Sequence, residues 1–393
     1  MPPVAEFGLP FAFYAVAALV FGLLVGSFLN VVIYRIPRGE SIVYPGSHCG
    51  ACGAPVRPYD NIPLVSYALL RGQCRLCRAK ISLIYPSVEL LTGLLFFAVL
   101  LKDGLTWITI AEMTFVAVII SLIFIDARHH LLPNVITYPA LVLSITANAA
   151  LAWHGVWAGN QAYFRFSGFT PTSFDTVFFA PSLWGAVLIA SAAPVFWIID
   201  RLDEVLFGKY FEWAEADQAE AVVEDPDAEH IAQRRHDRVI YGTMIGGLLL
   251  AVGWAVLGYS VSNRMGRGVF DLYGDAYQSA YANLLSACFG AFVGGGLIWL
   301  LRALYFYTRG IEGMGLGDVK MMAVIGAFLG WQSAILVLIF GSFLGSIVGL
   351  ILARRSAKGL KTALPFGVFL GIAALIALFA GTPILQWYTG MFR

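Results

Sequence analysis

Long apolar runs recur along the chain from residue 11 to residue 382, and two hydrophilic stretches, 37–82 and 201–238, interrupt them. The runs lie near 11–34, 83–101, 107–126, 132–153, 182–200, 239–260, 281–303, 318–331, 333–353 and 364–382. Crossing a hydrocarbon core of about 30 Å takes about 20 apolar residues in a helix. A membrane β-barrel would instead show short segments of alternating polarity, and none are present. The pattern predicts an all-α polytopic membrane protein of about ten transmembrane helices, embedded in the lipid bilayer. It divides into a first helix (1–36), a hydrophilic domain (37–82), a block of helices (83–153), an expanded region with further spans and an acidic loop (154–303, loop 201–238), and a last block (304–393).

Composition supports this picture. Of 393 residues, 59% are hydrophobic and 12% are charged, with a mean hydropathy of +0.77. Soluble chains carry roughly 25% charged residues. The formal charge of +1 is uninformative, and without a basic domain no nucleic-acid partner is expected. Met1 to Pro10 contains no Lys or Arg, so the first run reads as a retained anchor rather than a cleavable signal. Basic residues collect on the cytoplasmic side of membrane proteins. With the N-terminus outside, the inner loops hold 20 of the 25 Lys and Arg. That orientation places both hydrophilic stretches in the cytoplasm. Glu212, Glu215, Asp217, Glu220, Glu224, Asp225, Asp227 and Glu229 make the second stretch acidic, as in a solvated linker or surface helix.

The first hydrophilic stretch holds four of the five cysteines, as Cys49-Gly-Ala-Cys52 and Cys74-Arg-Leu-Cys77, 21 residues apart. Two such pairs form a structural-zinc signature, each binding one Zn²⁺ from a tight turn. Two disulfides are the other reading, and a reducing cytoplasm argues against them. Four thiolates leave no open ligand position, so the metal is expected to staple a domain poor in apolar residues. Gly50, Gly53 and Gly72 suit the turns. Cys288, inside an apolar run, is expected to be packing.

Two aspartates stand at the same predicted membrane edge. Asp126 ends the third run in LIFIDARHHLLPN, and Asp318 opens the eighth in GMGLGDVKMM. An ionisable group at a membrane span is by default a functional candidate. Gly315 and Gly317 would leave room beside Asp318 for a substrate backbone. Two adjacent carboxylates share one proton more readily than they both ionise. The ionised member can then activate water, and the protonated member can donate to the carbonyl under attack. Lys320 is expected to reach phosphate headgroups. Glu112 is expected to be packing or lipid-facing, and His129 and His130 to be interfacial polar residues.

In chain order, several motifs resemble the bacterial prepilin peptidase family, the GxGD-type intramembrane aspartic peptidases. They are Gly26-Ser-Phe-Leu-Asn-Val-Val-Ile-Tyr-Arg-Ile-Pro37, the cysteine quartet with Asp60-Asn-Ile-Pro63 between its pairs, Tyr85-Pro86, Glu89-Leu-Leu-Thr-Gly93, Asp126 with its downstream Leu-Leu-Pro, Gly315-Leu-Gly-Asp318-Val-Lys320 and Ala363-Leu-Pro-Phe-Gly367. The resemblance implies cleavage of the leader of type IV prepilins or type II secretion pseudopilins after a Gly at the cytoplasmic face of the inner membrane. It implies Asp126 and Asp318 as the catalytic pair. It further implies methylation of the new N-terminus with S-adenosylmethionine as donor, in the segment around Glu89 and the cysteine domain. The chain departs from the family in its expanded 154–303 region, where an even number of additional spans would keep both aspartates on one face. The competing class is a transporter or ion-coupled channel with a zinc-sensing domain. It would call for paired halves with related broken helices, and the sequence shows none.

Overall fold

The structure is a computed structural model and describes residues 10–153, 267–309, 314–355 and 364–391. Its helices are α1 (Phe11–Arg35), a short α2 (Val65–Leu69), α3 (Ile84–Asp103), α4 (Trp107–His129), α5 (Asn134–Trp153), α6 (Arg267–Arg309), α7 (Leu316–Leu329), α8 (Trp331–Arg355) and α9 (Phe366–Gly390). They follow eight of the ten apolar runs. The runs near 182–200 and 239–260, and the acidic loop, lie outside the described residues. Among the described residues, six helices are long and apolar enough to cross a membrane: α1, α3, α4, α6, α8 and α9.

The run near 318–331, short among the ten expected spans, forms a correspondingly short helix. Its helix, α7, has 14 residues, about 21 Å at 1.5 Å per residue, which falls short of a bilayer core. It is buried on every side: Met321, Ala323, Ile325 and Ala327 are inaccessible. A helix that is apolar all round belongs in a core. α4 is its counterpart, with Val116, Ile119, Ile120, Leu122 and Ile125 all inaccessible. Phe115 and Phe328 join the two helices by a parallel ring stack with centroids 4.4 Å apart.

The remaining helices surround this pair. α1 packs along α3 and also meets α4, while α7 is flanked by α5, α6, α8 and α9. α1 turns Val16, Val20, Leu24 and Phe28 outward, and α8 does so with Ile339, Phe343, Ile347 and Ile351. Such unbroken apolar faces match a lipid surroundings rather than water.

Helix association within a bilayer depends on close packing through small residues. The crossing of α6 on α7 shows this. A Cβ added at Gly290 would overlap the Gly326 carbonyl, and one at Gly326 would overlap the Gly290 carbonyl. The helices touch backbone to backbone, so neither side can yield by rotating a side chain.

Polar tethers fix the end of the bundle opposite the aspartates. Away from Asp126, Lys102 Nζ lies 2.7 Å from both Glu112 carboxylate oxygens, 3.2 Å from Asp103 Oδ2 and 3.3 Å from the Leu378 carbonyl. This ties α3, α4 and α9 together. Glu112 is therefore neither lipid-facing nor simple packing: it is 2% exposed and ion-paired. Asn148 Nδ2 donates to the Ala327 carbonyl at 3.2 Å and joins α5 to α7.

The α6–α7 crossing predicts a contrast between two glycines. Gly326→Ala should destabilise the protein by about 1–3 kcal/mol or more. Gly296→Ala, where an added Cβ meets nothing within 4 Å, should leave thermal unfolding in detergent unchanged or slightly raised.

Candidate active site and metal centre

The segment between α1 and α3 forms a small domain at the Asp126 end of the bundle. Arg35, buried at the end of α1, donates to the Ser41 carbonyl at 2.9 Å and to the Gly46 carbonyl at 3.2 Å. On α3, a Glu89 carboxylate oxygen accepts the Leu64 N–H at 2.9 Å. The domain thus hangs from two buried charged side chains of membrane helices. Arg75 grips Asp60 with Nε at 2.8 Å and Nη2 at 2.5 Å, and holds that carboxyl below the usual aspartate range.

The two Cys-x-x-Cys turns repeat one geometry. Cys49 N–H donates to the Ala54 carbonyl and Gly53 N–H to the Cys49 carbonyl, both at 2.8 Å. Cys74 N–H donates to the Ala79 carbonyl at 2.9 Å and Arg78 N–H to the Cys74 carbonyl at 3.0 Å. The residue after the second cysteine is left-handed in each turn: Gly53 at φ 70° and Arg78 at φ 57°. The first turn uses the residue that adopts this conformation freely; the second strains an arginine into it.

All four sulfurs lie within 4.8 Å of one another, and Cys49 Sγ is 3.8 Å from Cys77 Sγ. A tetrahedral zinc with Zn–S bonds of about 2.3 Å needs sulfur pairs about 3.8 Å apart. No disulfide links the quartet. The donor set and its spacing therefore fit a closed metal site. Backbone N–H groups of Cys52 and Ala51 bring the Cys49 thiol down to about 6. Cys77, although the Ala79 backbone favours its thiolate, is pushed up to about 11 by the neighbouring thiols and desolvation. Four crowded thiols resist ionising together without a cation among them. Cys288 stands apart on α6.

Asp126 and Asp318 sit near this end of the bundle, 5% and 8% exposed. Each carboxylate is matched to the start of a helix. Asp126 Oδ2 accepts the Val368 N–H at 3.1 Å, from the first turn of α9. The first N–H groups of a helix have no partner within it, and their end carries partial positive charge. Asp318 lies in the first turn of α7, behind its N-cap Gly315. The two carboxylates are near enough for their charges to act on each other, and His130 is near enough to act on Asp126.

One side chain lies between the two segments. Leu132, in the turn joining α4 to α5, is buried. A Cβ at Gly317 would come within 2.8 Å of the Leu132 Cβ; one at Gly367 would come within 3.1 Å of Leu132 Cδ1 and 2.8 Å of Asp126 Oδ2. Both glycines are thus needed for close approach. The space beside Gly317 is filled by Leu132, not open to a substrate. Gly315 is exposed, and an added Cβ there would meet only the Gly317 nitrogen at 3.9 Å, so any room beside Asp318 lies at Gly315.

Lys320 does not extend toward headgroups. Its Nζ donates to Asn134 Oδ1 at 3.0 Å and lies 5.2 Å from the centre of the Tyr138 ring. His129 and His130 are exposed, as befits interfacial residues. The sequence gives no sign that Val368 and Gly367 meet Asp126, that Leu132 meets Gly317, or that Asn134 meets Lys320. Gly367 and Leu132 stood inside quoted motifs, but their contact with Asp126 and Gly317 crosses between segments remote in sequence.

Two family models match the chain: the bacterial Peptidase A24 N-terminal domain over residues 20–102 and the Type IV leader peptidase family over residues 236–350. The first match includes the cysteine quartet and the second includes Asp318; Asp126 lies between them. The chain is 28% identical to a prepilin leader peptidase/N-methyltransferase of Pseudomonas aeruginosa, over 96% of this chain and 94% of the relative. It is 28% identical to the protein of the same name in Aeromonas hydrophila, over 97% and 95%. With that of Myxococcus xanthus, identity rises to 48% over 34% of this chain and 39% of the relative. No solved structure matches the chain.

Proposed function

We propose that this chain, which belongs to the type IV leader peptidase family, cleaves the leader from prepilins or pseudopilins through the Asp126–Asp318 pair and methylates the new N-terminus. The observation that supports the peptidase reading is that two buried carboxylates, from the end of α4 and the start of α7, lie near enough for their charges to act on each other, Asp126 also accepting an N–H from the first turn of α9. The pair works with one proton. Its ionised member takes a proton from water, whose oxygen attacks the scissile carbonyl. Its protonated member donates to the carbonyl oxygen, giving a tetrahedral diol. Collapse of the diol breaks the C–N bond, and the amine leaves with a proton from the pair. The two titrations belong to the pair rather than to either residue.

Sidedness supports the substrate class. With the basic loops inside, Asp126, Asp318 and the cysteine domain all face the cytoplasm of the inner membrane. A basic leader stays in that compartment while the following apolar helix remains in lipid. Cleavage after a Gly then falls at the membrane edge, where Gly315 leaves space for a backbone.

The cysteine domain holds zinc as a staple. Cys49, Cys52, Cys74 and Cys77 supply the shell, and the metal contributes folding free energy to the 37–82 domain. Methyl transfer rests on the relatives' names, and S-adenosylmethionine as donor on the family resemblance. The described residues contain no parallel sheet and no glycine-rich strand-to-helix turn of the soluble methyltransferase kind. The donor therefore has no assigned residues, and no step is derived through it.

Three outcomes follow. Asp126→Asn and Asp318→Asn should each reduce cleavage of a synthetic prepilin by about 10²–10⁴-fold or more, with thermal unfolding retained; normal cleavage by either would end the two-carboxylate mechanism. Metal analysis should find one zinc per chain, released on acidification as protons compete for the thiolates; a metal-free protein with four titratable thiols would refute the staple. Mass spectrometry of the mature pilin should show one added methyl group at its N-terminus, whereas an unmodified product would mean a peptidase only.

A further inference from the structure

The turn that follows Asp126 meets the helix that carries Asp318 at two places. Leu132 packs on Gly317, one residue before Asp318. Two residues after Asp318, Lys320 Nζ donates to Asn134 Oδ1 at 3.0 Å, with the ammonium 5.2 Å from the Tyr138 ring centre. Asn134 opens α5 directly after Leu131-Leu132-Pro133, and the Pro133 carbonyl accepts the N–H groups of Ile136 and Thr137 at 3.0 and 3.1 Å. Asn134 is thus held in a defined turn. The apolar contact limits how closely α7 approaches that turn. The polar contact fixes its rotation, because residues two apart on a helix point to nearly opposite sides. With Lys320 held toward α5, Asp318 is turned away from α5.

We propose that Lys320 is a positioning residue: its bond to Asn134 sets the rotation of α7 and so aims the Asp318 carboxylate at Asp126. This rests on the peptidase reading. Lys320 touches neither substrate nor water in this role. It acts through helix orientation, and its charge is steadied by the Asn134 carbonyl oxygen and the face of Tyr138. A catalytic pair tolerates little misorientation, and an error of about 1 Å can cost about a hundredfold in rate.

The test uses the full-length protein in detergent with a synthetic prepilin, and measures kcat, KM and thermal unfolding together. Lys320→Met and Asn134→Ala should each lower kcat by about ten- to a hundredfold, with KM changed by less than about twofold. The double variant should be no slower than the slower single, because both remove one interaction. Lys320→Arg and Asn134→Asp keep a donor and an acceptor and should recover most of the rate. Asn134→Ala keeps the lysine and decides the matter if Lys320→Met does not fold. Unchanged kcat in Asn134→Ala, losses that multiply in the double variant, or losses confined to KM would overturn the proposal. The peptidase reading fails separately, if Asp126→Asn or Asp318→Asn still cleaves.

Discussion

The bond from the Val368 N–H to Asp126 is the contact on which the arrangement depends. Asp126 closes α4 on a side chain buried to 5% exposure, where an unsolvated carboxylate is costly. The C-terminal end of its own helix makes this worse, since that end carries partial negative charge. The start of α9 reverses the balance by presenting unused N–H groups to the carboxylate. Gly367 makes the approach possible, because any side chain there would displace the Asp126 oxygen. A carboxylate that would otherwise seek water is thereby kept at the edge of the bundle, within reach of the Asp318 charge.

The second carboxylate depends on the shortness of α7. A helix of 14 residues cannot cross a bilayer core alone, yet it can stand within a ring of longer helices that shields it from lipid. Gly326 lets it touch α6 backbone to backbone, and the Phe115–Phe328 stack holds it to α4 at the end away from the aspartates. Near Asp318, Leu132 and Asn134 set its distance and rotation. The Lys102–Glu112 pair holds α3 to α4 at the opposite end, and through the Leu378 carbonyl it reaches α9, whose first turn caps Asp126.

Much of this was legible along the chain. The apolar runs marked the helices, and the Cys-x-x-Cys spacing marked a quartet whose sulfurs converge within 4.8 Å. The glycine-flanked Asp318 announced itself by its local composition. What escaped notice were properties of contacts between remote segments. An apolar run reads the same whether it spans lipid or fills a core, and only the packing around α7 shows that it fills one. A lysine near a membrane edge reads as a snorkelling group until its partner is known, and the partner of Lys320 is an asparagine in another helix pair. Glu112 reads as peripheral until Lys102, on the preceding helix, is seen to pair with it. Gly317 looked like open space because nothing local shows that Leu132 fills it.

The most direct measurement is the proximity of the two aspartates in the intact membrane protein. Asp126→Cys and Asp318→Cys can be combined with Cys288→Ser and a protease site in the acidic 201–238 loop, with the metal quartet left loaded. A short bifunctional thiol reagent should then keep the two cleaved halves joined, and neither single cysteine variant should do so. Halves that separate in the double variant as readily as in the singles would contradict the meeting of α4 and α7 at a shared pair of carboxylates.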